Sequence, residues 1–143
     1  MVEMSKKTKK MAITVFSGAV DRLTGLSVLV SGAAASDIEV DIFLQLWGVY
    51  AMRKDVIDKN MEFSEFEELK PKVHDGLTRI KAPSWIDMLR EAKNVGTVRI
   101  HACSLALQIW GITKDDLVDV VDDVMGAAEF LDISTKADIT YFI

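Results

Sequence analysis

Two apolar runs of strand-forming residues lie on either side of one long helix-forming stretch, and this arrangement limits the possible folds more than any other feature. Residues 12–17 are β-branched and aromatic, and residues 38–44 alternate before they become wholly apolar, which is typical of buried strands. The stretch between them, up to Ala35, is rich in Ala, Gly, Ser and Leu. Strand, helix and strand in this order predict a βαβ unit, which requires a parallel sheet.

Small residues recur along the predicted first helix. Gly18, Gly25 and Gly32 lie seven residues apart, which places them near one face of a helix. Small side chains on one face allow a helix to approach a sheet closely. We therefore expect this face to pack tightly against the sheet.

Three further strands and their helices are predicted in the rest of the chain. Ser84 is the predicted N-cap of a helix that Gly96 ends, because Asp87 follows the serine by three residues and an apolar stripe begins there. The other predicted elements are a short helix at 49–53 after a turn, a strand at 97–102, a helix at 104–110, a strand or helix at 117–121, a helix at 122–136 and a strand at 139–143. The sequence therefore predicts one three-layer α/β/α domain with a five-stranded parallel sheet.

Two segments differ in composition from this domain, which we place at residues 11–143. Residues 1–10 carry four lysines and are expected to be a disordered basic lead-in. Residues 53–83 hold both prolines of the chain, and 11 of their first 20 residues are charged. We interpret them as a charged excursion from the core that forms a surface helix, a flap or an oligomer contact. Phe63 and Phe66, three residues apart, indicate that one of its faces packs against something.

Composition narrows the possible partners and compartments. The sequence has 17 Lys and Arg against 22 Asp and Glu, a net charge of −5. Since nucleic-acid binding needs clustered cations, this balance predicts no nucleic-acid partner. The longest uncharged stretches have 14 residues, whereas a membrane-spanning helix needs about 20, so we predict no membrane segment and no signal peptide. A single cysteine allows no disulfide within the chain, and we expect a cytoplasmic protein.

Candidate site residues occur where predicted strands end. In open parallel sheets, ligands bind beyond the carboxyl ends of the strands. Three residue pairs lie at or shortly after the ends of the first three predicted strands, and we expect them to converge at this edge of the sheet. They are Ser17-Gly18, Trp47-Gly48 and Cys103-Ser104.

Cys103 is the strongest single candidate. A helix is predicted to begin directly after it, and the positive end of a helix lowers the pKa of a thiol and favours the nucleophilic thiolate. His101, two residues earlier on the same strand, points to the same face and could supply a positive charge or a proton. The alternatives are a buried cysteine that acts as a small hydrophobic side chain, and a histidine that is packed or exposed without a chemical role.

No metal site and no cofactor are predicted. The one cysteine and the two histidines, His74 and His101, lack the ligand spacing of a structural zinc site. The chain also lacks the glycine-rich motifs for dinucleotides and nucleoside triphosphates, the dithiol redox motif and the nucleophile motif of serine hydrolases. These absences remove the usual sequence arguments for those activities.

Five segments of the chain resemble the DsrE/DsrF-like family. They are residues 13–18, 43–48, 102–104, 110–117 and 126–143, in the order found in the family. The family is implicated in sulfur trafficking, and the resemblance implies a five-stranded parallel sheet with helices on both faces. It implies that a cysteine, here Cys103, carries sulfur as a persulfide or thiosulfonate. It also implies a homo- or hetero-oligomer that exchanges sulfur with small sulfur-carrier proteins or rhodaneses.

Two departures from the family pattern matter. Some relatives have a second cysteine upstream of the main one, at a place where this chain has Val95. A mechanism that resolves an adduct with a second thiol of the same chain is therefore excluded. Some relatives also carry a membrane-inserting segment in the middle, where this chain has the charged excursion, and we expect a soluble protein.

The function predicted from the sequence is that of a sulfur carrier or sulfurtransferase. Cys103 would attack a small donor such as thiosulfate, tetrathionate or a carrier persulfide, hold the sulfur group and pass it on. The N–H groups of Cys103 and Ser104 would stabilise the adduct, and Gly18 and Gly48 would let the backbone approach it. Two alternatives remain: an oligomeric binding or scaffold protein that uses the same cleft without catalysis, and a thiol-based oxidoreductase that borrows a partner's thiol.

Overall fold

The described part of the chain forms five parallel strands and six α-helices. The computed structural model describes residues 7–143, so most of the predicted lead-in at residues 1–10 lies outside the described residues. In chain order the elements are β1 (Lys10–Val15), α1 (Val20–Ala35), β2 (Glu39–Leu44), α2 (Leu46–Ala51), α3 (Lys70–Arg79), α4 (Trp85–Val95), β3 (Val98–Cys103), α5 (Ser104–Trp110), β4 (Asp123–Met125), α6 (Ala127–Thr135) and β5 (Ile139–Phe142). The order across the sheet is β4-β3-β2-β1-β5, and the predicted five-stranded parallel sheet is confirmed.

The two faces of the sheet differ in chemistry. Ile13, Ile42 and Ile100 are neighbours in the register and are fully buried on one face. Right-handed crossovers place α1 and α4, which contact each other, on this face. The connection from β4 to β5 runs the opposite way across the sheet, which places α6 on the other face. There Phe130 of α6 stacks on Phe43 of β2 with ring centroids 4.8 Å apart. The chain therefore has the three predicted layers.

Local capping signals predicted several helix boundaries correctly. The Ser84 hydroxyl accepts a hydrogen bond from the Asp87 N–H at 3.2 Å, as an N-cap should, and α4 ends before Gly96. Helix α5 begins and ends at the predicted residues. It stops at Gly111, whose φ of 64° lies in the left-handed region that glycine adopts without strain.

The fourth strand begins later than predicted. Residues 117–121 are irregular and buried in part, the strand is β4, and the last helix begins only at Ala127 rather than at Asp122. Asp122 explains the difference, because its carboxylate accepts hydrogen bonds from the Ile100 N–H at 2.8 Å and from Lys93 Nζ at 2.5 Å. These contacts with β3 and α4 hold the chain in an extended conformation, and a local sequence pattern cannot predict them.

The expected role of the spaced glycines in helix packing is wrong. Gly25 and Gly32 are exposed, and a methyl group added at either would have no atom within 4 Å. The buried face of α1 is formed instead by larger side chains such as Leu23, Leu26 and Val30. Gly18 precedes the helix altogether. Gly25 and Gly32 lie on the solvent-exposed side of α1, because the larger apolar residues form the side that packs on the core.

The excursion at residues 53–83 is a surface segment. Helix α3 lies within it and has no buried residue. Phe63 packs beside His74 with ring centroids 5.8 Å apart, whereas Phe66 is 66% exposed. Within the described residues, no helix combines the length and apolarity required to cross a bilayer.

Candidate functional site

Cys103 is the last residue of β3 and directly precedes α5. Its backbone is extended, and in the sheet register it lies beside Met125 of the edge strand β4. Only 9% of its surface is exposed. The thiol therefore occupies the predicted position at the carboxyl edge of the sheet, but it is buried there. Ser104, the first residue of α5, is half-buried.

His101 lies on the same face as Cys103 and is held by two carboxylates. Its Nε2 is 2.8 Å from Asp41 Oδ1 on β2, and its Nδ1 is 2.6 Å from Asp123 Oδ1 on β4. Arg99 also donates two hydrogen bonds to Asp41, at 2.8 and 2.9 Å. These side chains form a charged chain across three neighbouring strands, on the face that α6 covers.

The charges in this network favour the ionised forms of its members. Burial alone would lower the pKa of His101, but the hydrogen bonds and charges of Asp41 and Asp123 outweigh burial and raise it above its usual value. Burial would likewise raise the pKa of Asp41, yet His101 and Arg99 hold it well below its usual range. Both ring nitrogens of His101 are thus occupied, and neither is left to bond the Cys103 sulfur.

A cavity of about 550 Å³ opens at the ends of β1 and β5. Three of the predicted site residues contribute to its wall: Ser17, Gly18 and Trp47. Its remaining lining residues are Phe16, Ala19, Arg22, Tyr50, Asn60, Glu62, Ser64, Phe142 and Ile143. Cys103 does not line it, and neither do His101 and Ser104.

Residues 60–64 of the excursion form one wall of this cavity. Asn60 Nδ2 donates to the Gly18 carbonyl oxygen at 2.8 Å, and the Glu62 carbonyl accepts from the Val20 N–H at 2.7 Å. The Ser64 hydroxyl and N–H both donate to the carboxylate of Asp21, at 2.6 and 2.9 Å. We call residues 60–64 the strap. Sequence reasoning missed the strap because its contacts join positions about 40 residues apart, within a segment that looked like exposed surface.

The two glycines predicted at the site have packing roles. An added Cβ at Gly18 would lie 2.6 Å from the Trp47 carbonyl oxygen, and one at Gly48 would lie 2.5 Å from the Val15 carbonyl oxygen. Trp47 and Gly48 belong to the first turn of α2, rather than to the turn that was predicted ahead of it. The missing side chains therefore let α2 pack closely on the end of β1.

The predicted site thus falls into two groups that an aromatic cluster connects. Trp110, at the end of α5, has its ring centroid 5.5 Å from Trp47 and 4.8 Å from Tyr50. Its Nε1 donates to the Leu46 carbonyl oxygen at 2.9 Å. Helix α5 begins after Cys103 and ends against two residues of the cavity wall. Among the described residues, no cluster of three or more His, Cys, Asp or Glu side chains could hold a metal ion.

The chain belongs to the DsrE/DsrF/DrsH-like family, whose model matches residues 7–74 and 58–142. It is 29% identical over 161 residues to the uncharacterized protein YrkE of Bacillus subtilis, an alignment that covers 98% of this chain and 100% of that protein. It is 23% identical over 157 residues to the sulfur carrier protein DsrE2 of Allochromatium vinosum, with 94% of this chain and 98% of the relative covered. These matches support a sulfur-related role.

A solved structure has the same fold. It is the protein of unknown function MTH1491 from Methanobacterium thermoautotrophicum, which matches with a TM-score of 0.59 over 94% of this chain and 99% of its own. At 18% sequence identity this similarity concerns the fold alone.

Proposed function

We propose that the protein carries sulfane sulfur on Cys103 and passes it to a partner. The family membership and the similarity to a sulfur carrier support a sulfur-related role. The observation that carries the assignment to a residue is that Cys103 is the only cysteine in the sequence. A sulfur atom held on a thiol of this chain can be held nowhere else.

The proposed chemistry is a thiolate displacement at sulfur. With thiosulfate, the Cys103 thiolate attacks the outer sulfur, forms a persulfide and releases sulfite. With tetrathionate it attacks an inner sulfur, keeps a thiosulfonate group and releases thiosulfate. With an organic persulfide it takes the terminal sulfur and releases the donor's thiolate. None of these steps needs a metal or a cofactor.

Release of the sulfur requires a partner. Because the chain has no second thiol, the thiolate of another molecule must attack the outer sulfur of the Cys103 persulfide and leave Cys103 as a thiolate. A small sulfur-carrier protein or a rhodanese supplies such a thiol. We propose that the protein works as a homo-oligomer in the reducing cytoplasm, where Cys103 stays free between cycles. Repeated turnover would make it a sulfurtransferase rather than a stoichiometric carrier.

Access to Cys103 is part of the proposal. The residue is 9% exposed, and its neighbour β4 is an edge strand of three residues. Small inorganic donors are the substrates that need the least movement at this edge. His101 and Ser104 are the proposed neighbours of the adduct, with His101 contributing the positive charge that two carboxylates keep in place.

The test is the intact mass of the protein after incubation with thiosulfate, tetrathionate or glutathione persulfide. We expect one sulfur-containing adduct per chain that dithiothreitol removes. Cys103→Ser is expected to gain none, and Ser36→Ala, at an exposed position just after α1, is the matched control that still loads. A wild-type protein that stays unmodified by all three donors would contradict the proposal, as would equal modification of Cys103→Ser.

A second candidate is a non-catalytic binding or scaffold protein. The observation that favours it is the cavity at the ends of β1 and β5, which Cys103 does not line. In this case Cys103→Ser retains every property of the wild type, and the cysteine is a small hydrophobic core residue. A thiol-based oxidoreductase would instead show oxidation of Cys103 by peroxide without uptake of sulfur.

A further inference from the structure

We infer that the cavity at the ends of β1 and β5 is a binding site for a small organic anion with a flat aromatic body. This inference does not rest on sulfur carriage by Cys103, which lies outside the cavity lining. The volume of about 550 Å³ is within the range of small-molecule sites. One wall is the strap, which hydrogen bonds between three pairs of residues hold against the segment that leads into α1 and its first turn.

Four aromatic side chains line this cavity and remain partly exposed. Phe16 and Phe142 stack with ring centroids 6.2 Å apart and an angle of 21° between their planes. Trp47 and Tyr50 meet edge to face at 6.5 Å and 82°. Phe142 is 72% exposed and Trp47 is 48% exposed, so both have free ring surface. Exposed aromatic surface of this kind can pack against a further ring by offset or edge-to-face stacking, which favours a flat ligand body.

The hydrogen bonds of the wall leave few polar groups free for a ligand. Asn60 uses its Nδ2 on Gly18 and its Oδ1 on the Glu62 N–H, and Ser64 is bound to Asp21. The Ser17 hydroxyl accepts from the Ala19 N–H. These amide and hydroxyl groups build the wall, and among them the Ser17 O–H has no acceptor within the described residues.

Arg22 is the cation of the cavity lining and has no hydrogen-bonded partner among the described residues. Its guanidinium reaches Glu65 Oε1 only at 4.0 Å, and its side chain is 48% exposed. A guanidinium binds a carboxylate or sulfonate through two parallel hydrogen bonds. Arg22 therefore favours a ligand with a negative charge. Glu62 is the opposing charge in the lining, and it takes part in the wall through its backbone.

The experiment compares 2-naphthoate with its neutral analogue 2-naphthamide by isothermal titration calorimetry on the full-length protein. We expect one naphthoate per chain, bound about tenfold or more tightly than the amide. Arg22→Gln is expected to remove this preference, and Arg90→Gln, a surface arginine on α4, is the matched control that retains it. Trp47→Leu is expected to weaken both ligands, with the fold checked by circular dichroism.

Several outcomes would overturn the inference. They are equal affinity for the two ligands in the wild type, no effect of Arg22→Gln on the preference for naphthoate, and no binding at all because a second copy of the chain covers the cavity. Glu62→Gln tests the same electrostatic argument by removing the negative charge of the lining. Removal of this negative charge is expected to tighten naphthoate, and a weakening would contradict electrostatic selection of an anion in this cavity.

Discussion

His101 connects three strands with one side chain, since its two nitrogens bind carboxylates on β2 and β4. Buried ionised groups are tolerated only when they are paired and hydrogen-bonded, and here each charge has a partner. Asp41 is paired with both His101 and Arg99, and only 7% of its side chain is exposed. The network therefore fixes the strand that carries Cys103 to its two neighbours.

This network makes stability depend on pH through His101. The pKa of His101 is raised in the folded protein, so the stabilisation is complete below the unfolded value of about 6.5 and is lost as pH rises through the folded value. We expect the free energy of unfolding, measured by urea denaturation, to fall as pH rises from about 6.5 through the raised pKa of His101 in the folded protein. His101→Gln should cost about 1.5–3 kcal/mol at pH 6 and remove most of this slope.

The matched control is Gln108→Ala, at an exposed position of α5 without an ionisable group, which is expected to keep the wild-type slope. An identical pH dependence in His101→Gln and the wild type would show that His101 is not the titrating group.

Two glycine-to-alanine substitutions distinguish a closely packed glycine from an exposed one. A Cβ at Gly48 would lie 2.5 Å from a backbone oxygen, so we expect Gly48→Ala to cost about 1–3 kcal/mol of unfolding free energy. Gly25→Ala, in an exposed helical position with free space around it, should add about 0.5–1 kcal/mol. Urea denaturation of both variants measures the difference. Equal effects of the two substitutions would contradict the packing role of Gly48.

At the scale of elements, β4 depends on side chains more than on its own length. It has three residues, and just before it the Asp122 carboxylate accepts from the Ile100 N–H on β3, while the Asp122 backbone N–H donates to the Ile100 carbonyl oxygen. We expect Asp122→Ala to cost about 1–3 kcal/mol and to accelerate amide hydrogen exchange in β4. Asp119→Ala is the control, because this exposed residue makes only a 3.6 Å contact with Arg90. Unchanged exchange in Asp122→Ala would contradict this role.

The elements that could be predicted from the sequence are those whose signals are local. Helix α5 has an apolar stretch and a terminal glycine, and α4 has a serine cap, so both were found with correct ends. The position of β4 was missed because it is set by contacts from Asp122 to β3 and α4. Local periodicity cannot contain such information, since Val124 fits a helical stripe equally well.

At the scale of the whole molecule, α3 and its flanking residues carry an apolar stripe that has no packing partner within residues 7–143. Leu69, Val73 and Ile80 are exposed at helical spacing, although none of them packs on the core. Residues 65–68 are rich in glutamate, and residues 79–81 carry two basic side chains. An antiparallel pairing of two copies through this helix would bring each acidic end beside a basic one, as a twofold interface requires.

This arrangement leads to a prediction about assembly. We expect sedimentation equilibrium to show more than one chain per particle in the wild type, and Val73→Glu to shift the protein toward smaller species, because a charge at the centre of the stripe is costly to bury. Val28→Glu, at an exposed position of α1, is the matched control and should not change the assembly. A wild-type protein that is monomeric at all concentrations would contradict the prediction.

The site could be predicted from the sequence only in part, because its pieces depend on the whole fold. The rule that ligands bind at the carboxyl ends of parallel strands brought together Ser17, Gly18 and Trp47. It also placed Cys103 at this edge, but β3 is separated from β1 by a strand, and the cavity forms on the β1 side. The strap that completes the cavity was hidden in a charged segment whose contacts are distant in sequence.

The strand order has a consequence for biosynthesis. Lys10 and Asp138 are joined by a hydrogen bond although 128 residues separate them, and β1 pairs with β5 over four positions. During translation β1 therefore leaves the ribosome long before the strand that protects its outer edge exists. Until β5 emerges, the unpaired apolar edge of β1 can aggregate. We therefore expect the yield of native protein to depend on chaperones that bind nascent chains.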